Sequence, residues 1–197
     1  SYLSLNSAVI QTVDGQERIL VVGEADGDLY LTRYMTSGSL DTSFGVYGQQ
    51  IIDLGETEGL SAVTLYAQGR IVVAGYAENS GHVASFLVAR LDENGFLDST
   101  FGSGGMVLTQ AGAGGSHAYS VAVDEATGQI LAGGEASGLV AEGMKTTSFA
   151  LARYNEDGSL DLIGGTGVTT TTFSHQTVST NFTPIHDLIL SGGNVYV

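Results

Sequence analysis

One pattern recurs three times in the chain and constrains what it can fold into. Leu29 to Asp41 reads LYLTRYMTSGSLD, Phe86 to Asp98 reads FLVARLDENGFLD, and Phe149 to Asp161 reads FALARYNEDGSLD. Each copy is a short apolar run, an arginine, a glycine turn and Leu-Asp. Arg33, Arg90 and Arg153 align, as do Gly38, Gly95 and Gly158, and Asp41, Asp98 and Asp161. The copies are spaced by 57 and then 63 residues. Self-similarity at such a spacing marks a repeat architecture, in which each unit buries its apolar faces against its neighbours.

Four strand-like runs are expected in each repeat. In the second repeat they are Ser61 to Tyr66, Arg70 to Gly75, Phe86 to Leu91 and Gly105 to Thr109, with Gln68-Gly69 as a turn between the first two. Short runs of Val, Ile, Thr, Tyr and Phe punctuated by Gly, Asn, Asp and Ser are the all-β pattern. No stretch holds a helical period. The second run is apolar at consecutive positions: Ile19 to Val22, and again Ile71 to Ala74. A strand covered on both faces reads this way. The fold expected is therefore all-β, a β-propeller-type array of four-stranded antiparallel blades with a period of about 57–63 residues. A solenoid has much shorter rungs, and a two-sheet sandwich does not explain the period. The blades are expected at residues 1–56, 57–115 and 116–178, with an incomplete fourth at 179–197. Because so few blades cannot close a ring, the sequence is expected to be a piece of a longer chain, or to complete a ring with further copies. An apolar blade face would then lie open at one or both ends.

The segments ARYNEDGSLD, LDSTFGSGGMV and YSVAVDEATGQILAGG resemble the delta-60 repeat family of bacterial proteins, whose repeats have about this length. The resemblance covers essentially the whole chain. It implies a propeller and an exported or surface-associated bacterial setting, and it carries no assigned reaction. The third repeat departs from the pattern, because the segment from Asp161 to Gly165 lacks the phenylalanine seen at Phe44 and Phe101.

Charge narrows the partners. With 21 acidic and 6 basic residues, the net charge is −15. Nucleic acids and anionic lipid surfaces need clustered Lys and Arg, so a protein or glycan partner is expected instead. No apolar run approaches the roughly 20 residues of a membrane helix, and no membrane insertion is expected. The chain has no cysteine, which removes disulfides and thiolate metal sites.

Three of the six basic residues occupy the repeated arginine position. By the period of two, each shares a strand face with apolar residues, as Arg90 does with Phe86 and Val88. A guanidinium there needs acceptors. The expected structural pairs are Arg33–Asp41, Arg90–Asp98 and Arg153–Asp161, within a blade or between neighbours. A ring of arginines binding anions is the functional alternative. Arg18, outside the pattern, is expected to be exposed.

No catalytic residue is predicted, and neither a metal site nor a cofactor. The acidic turns Asp92-Glu93-Asn94-Gly95 and Asn155-Glu156-Asp157-Gly158 lack the alternating ligands of a calcium loop. No histidine pair has zinc spacing, and no nucleophile elbow is present. In a four-stranded blade the second-to-third connections and the links between blades lie at one end. The second-to-third connections vary most, over residues 24–28, 76–85 and 135–148. Variable loops on a rigid scaffold are where binding residues concentrate. The candidate ligand-binding residues are Tyr76, His82 and Lys145 on those loops, with His117 and His175 on links between blades. The expected function is a non-enzymatic exported scaffold or binding module. A propeller enzyme, hydrolase or lyase, using the same loop face is the alternative.

Overall fold

The fold is that of a computed structural model, which describes residues 2–139, 145–162, 166–171, 189–191 and 194–196. All the described elements are strands. The first sheet is β1 (Leu3–Val13), β2 (Gln16–Ala25), β3 (Asp28–Met35) and β4 (Gln49–Ile52). The second is β5 (Glu58–Tyr66), β6 (Arg70–Glu78), β7 (Ala84–Leu91) and β8 (Met106–Thr109). The third is β9 (Gly115–Val123), β10 (Ile130–Leu139), β11 (Lys145–Tyr154) and β12 (Val168–Thr171). A short hairpin follows, β13 (Ile189–Ser191) with β14 (Asn194–Tyr196). Within each four-stranded sheet the strands are antiparallel and lie in chain order.

The apolar runs of the second strands become intelligible once the sheets are stacked. Along β6, Ile71 and Val73 face the first sheet, where they join Leu20, Val22, Leu29 and Leu31. Val72 and Ala74 face the third sheet and meet Ala118, Ile130, Ala132 and Ala150. β5 crosses β1, β2 and β3, and β9 crosses β5, β6 and β7. The middle sheet is therefore covered on both faces, and its alternation of side chains feeds two separate cores.

A repeated glycine shapes each second strand. Gly23, Gly75 and Gly134 each sit where a β-bulge interrupts pairing with the first strand. A Cβ on these glycines would lie 1.8, 1.9 and 2.0 Å from the carbonyl oxygens of Ser4, Gly59 and His117. Only glycine allows the first strand to approach so closely.

Strands run further toward the variable end than the sequence reading placed them. Tyr76 lies inside β6, His117 inside β9, and Lys145 begins β11, so none of the three is a loop residue. The reason is continued ladder pairing: Tyr76 opposes Gly59 and Phe86, and Glu135 opposes His117 and Phe149.

Candidate functional site

The two ends of the array carry different chemistry. At one end the repeated motif builds a latch between sheets. Arg33 is fully buried; its Nε donates to Asp41 Oδ2 at 2.8 Å, and its Nη2 donates to Ser43 Oγ at 3.1 Å. The remaining nitrogen, Nη1, crosses to the second sheet and donates to the carbonyl of Glu93 at 2.7 Å. Phe44 lies beneath the guanidinium, 4.8 Å from its carbon to the ring centre. Arg90 repeats the arrangement, with Asp98 Oδ2 at 2.9 Å, Thr100 Oγ1 at 2.9 Å, the carbonyl of Glu156 on the third sheet, and Phe101 below. Backbone bonds reinforce both junctions: the Gly45 amide donates to Asn94 O at 2.7 Å, and the Gly102 amide donates to Asp157 O at 2.8 Å. Arg153 Nε lies 2.7 Å from Asp161 Oδ2, and its side chain is 38% exposed.

The turn glycines of the second and third repeats, Gly95 and Gly158, sit under the preceding latch. A Cβ on Gly95 (φ +90°) would fall 2.5 Å from the Phe44 ring, and one on Gly158 would fall 2.7 Å from the Gly102 nitrogen. Arg33 and Arg90 thus spend their guanidinium donors on the latch between sheets.

Arg18 departs from the exposure expected of it. Its side chain is 12% exposed, and its Nε donates to Asp41 Oδ2 at 3.1 Å. It lies near the start of β2 beside the end of β3, so the antiparallel register with Met35 carries it to the same carboxylate. Gln129 stands at the matching place in the third sheet and donates to Asp161 Oδ2 at 2.7 Å.

The opposite end carries aromatic rings and carboxylates. Glu24, Tyr76 and Glu135 occupy matching positions, each directly after the bulge glycine. Tyr76 and His117 are in contact, with ring centres 4.7 Å apart, and the His117 and Tyr119 rings stack at 6.3 Å. Tyr119 donates its hydroxyl to Glu135 Oε1 at 2.9 Å, while His117 Nδ1 stands 3.8 Å from that oxygen. Tyr76 points its hydroxyl at Glu24 Oε2, 3.5 Å away, at the outer limit of hydrogen bonding. Burial, and then the Glu24 charge, push the Tyr76 phenol up to about 12. The Tyr119 phenol is raised as well, by burial and by its bond to Glu135. Both therefore stay protonated donors at neutral pH.

Of the candidates read from sequence, Tyr76 and His117 meet in this cluster. His82 stands apart at the tip of the β6–β7 connection, 78% exposed, with Nδ1 3.3 Å from Glu78 Oε2. Lys145 pairs with Leu139 at the far end of β10. His175 lies outside the described residues. Glu24, Tyr119 and Glu135 are not among the candidates read from sequence; the only signal for Glu24 and Glu135 there is their place directly after a repeated glycine.

A family profile described as "Domain of unknown function (DUF5122) beta-propeller" matches residues 18–44, 68–101 and 125–162, together half of the chain. The chain belongs to this family. Its sheets are therefore propeller blades, and each matched segment runs from the second strand, or the turn before it, to the latch. Asp53, Glu58, His117 and Tyr119 lie outside the matched segments. No curated protein matches the chain significantly.

Proposed function

We propose that this propeller is a non-enzymatic binding module. Its site is the row of Tyr76, His117 and Tyr119 flanked by Glu24 and Glu135, and its ligand is a neutral glycan. The observation that carries this reading is the contact of three rings with two carboxylates at the variable end of the blades. Rings offer apolar faces to a sugar, and carboxylates accept its hydroxyls. The net charge of −15 disfavours an anionic ligand. A hydrolase would need a carboxylate or histidine poised to move a proton within about 3.2 Å. His117 stands 3.8 Å from Glu135, which already accepts from Tyr119.

The proposal includes an exported or cell-surface setting and the blade limits 1–56, 57–115, 116–178 and 179–197. A glycan array on the intact protein, run beside a glycoside hydrolysis screen, tests the function. Binding of a neutral glycan without turnover is expected, weakened at least tenfold in Tyr76→Ala and His117→Ala at unchanged melting temperature. Turnover that disappears in Glu135→Gln would replace the binding module with a hydrolase.

A further inference from the structure

Three carboxylates meet where the first blade hands the chain to the second. Asp28 opens β3, Asp53 follows β4, and Glu58 opens β5. One carboxylate oxygen from each lies within 4.8 Å of the other two. The Asp26-Gly27 turn brings Asp28 to the site, and the Glu58 amide donates to the Gly27 carbonyl at 2.8 Å. Glu58 is fully buried. Its Oε1 accepts the Leu54 amide, but its Oε2 is buried with no hydrogen-bond partner. The charges that act most on it are those of Asp28 and Asp53, which repel it. A buried carboxylate with one unpaired oxygen, grouped with two more carboxylates, is costly.

The second blade junction shows that the fold does not require this charge. The register places Ser85, Gln110 and Ser116 at the positions of Asp28, Asp53 and Glu58. Ser116 is also fully buried, and its Oγ accepts the Ala111 amide at 3.2 Å, as Glu58 Oε1 accepts that of Leu54. A neutral hydroxyl is thus sufficient for the structural task. Carboxylates at all three positions, one of them with an unused buried oxygen, need another explanation.

We propose that Asp28, Asp53 and Glu58 bind a calcium ion at the first blade junction. The donor set is all oxygen, the preference of a hard cation. Ligands at 2.3–2.6 Å from calcium lie at most about 4.6–5.2 Å apart, whereas magnesium at 2.0–2.1 Å limits them to about 4.2 Å. The three oxygens, all within 4.8 Å of one another, fit within the span that calcium allows. Asp53 is exposed and Asp28 half-buried, which leaves water to complete the shell from outside. With three protein carboxylates, the dissociation constant is expected on the order of 10⁻⁴–10⁻³ M. The ion would tie β3, β4 and β5 together beside the proposed glycan face, without depending on that reading.

Calorimetric titration of the intact protein with calcium chloride, paired with thermal unfolding in calcium or magnesium at equal ionic strength, tests the site. Saturable calcium binding and a melting temperature raised by several degrees over magnesium are expected. Asp53→Asn, which keeps the side-chain oxygen that accepts the Gly55 amide, should remove both responses. Glu58→Ser, the residue of the second junction, should fold without calcium and also lose them. Asp14→Asn, an equal charge change on a distant exposed turn, should retain them. Absence of saturable binding, equal effects of the two ions, or a full calcium response in Asp53→Asn would overturn the site.

Discussion

The repeated arginine shows how one residue can hold two blades. Arg33 has no exposed surface, and it divides its donors between its own blade and the carbonyl of Glu93 on the next. Removing one partner of such a buried pair costs about 3–5 kcal/mol. Arg33→Ala should therefore lower unfolding stability by that amount, measured by denaturant titration, and Arg153→Ala, with its more exposed side chain, should cost less. The carboxylate partners predict an acid limb. At Asp98 the Thr100 hydroxyl is the main influence, burial opposes it, and the Thr100 amide and Arg90 charge help hold the group below its ordinary 3.8. At Asp41 burial is the largest single influence and pushes upward, yet the Ser43 hydroxyl and amide with the Arg33 charge outweigh it. A depressed pKa means that this stabilisation is complete above the ordinary value and is lost as pH falls through the folded one. Asp98→Asn should be less stable at neutral pH and should show a shallower loss of stability below about pH 4 than the parent. Parallel stability–pH curves would contradict the assignment.

At the scale of the strand, glycines carry the tightest constraints. Gly75→Ala places a Cβ 1.9 Å from the Gly59 carbonyl and should cost about 3 kcal/mol or more, the upper range for single substitutions. Gly38 and Gly95 share a repeat position and nearly the same φ, +86° and +90°. A Cβ at Gly38 meets nothing within 4 Å, whereas at Gly95 it meets Phe44. Gly95→Ala should exceed Gly38→Ala in its melting-temperature loss by the equivalent of about 1–3 kcal/mol, the usual cost of overpacking. Equal losses would mean that the turn does not rest on the preceding blade. Repetition is also what made these features readable. An arginine, a glycine and an aspartate that return together three times mark a module, and the consecutive apolar residues of β6 mark a strand with two covered faces. What did not repeat stayed hidden. Gln11, buried and bonded to Arg33 and to the Gly69 and Glu93 carbonyls, has Tyr66 in its place in the next blade, reaching Glu156 instead. Arg18 looked exposed because its partner Asp41 is brought to it only by the register of β2 on β3. Asp28 and Glu58 are thirty residues apart in sequence and meet only through two turns.

At the scale of the whole array, the latches of Arg33 and Arg90 each belong to one blade and close on the next, so the three described blades are coupled in series rather than around one shared core. The two cores on either side of the second blade are separate clusters, the first rich in Leu, the second rich in Ala. Stability in such an array is a sum of blade and interface contributions. This leaves the other end, with its rings and carboxylates, free to vary without loosening the stack, and it explains why the family's signature follows the latch. The most direct test is amide hydrogen exchange, followed residue by residue, in the parent and in Arg33→Ala. The Gly45 amide, which donates across the junction to Asn94, should lose protection far more than the amide of Val22, within the ladder of β2. Equal loss at both, or no loss at Gly45, would show that the repeated arginine does not join the blades.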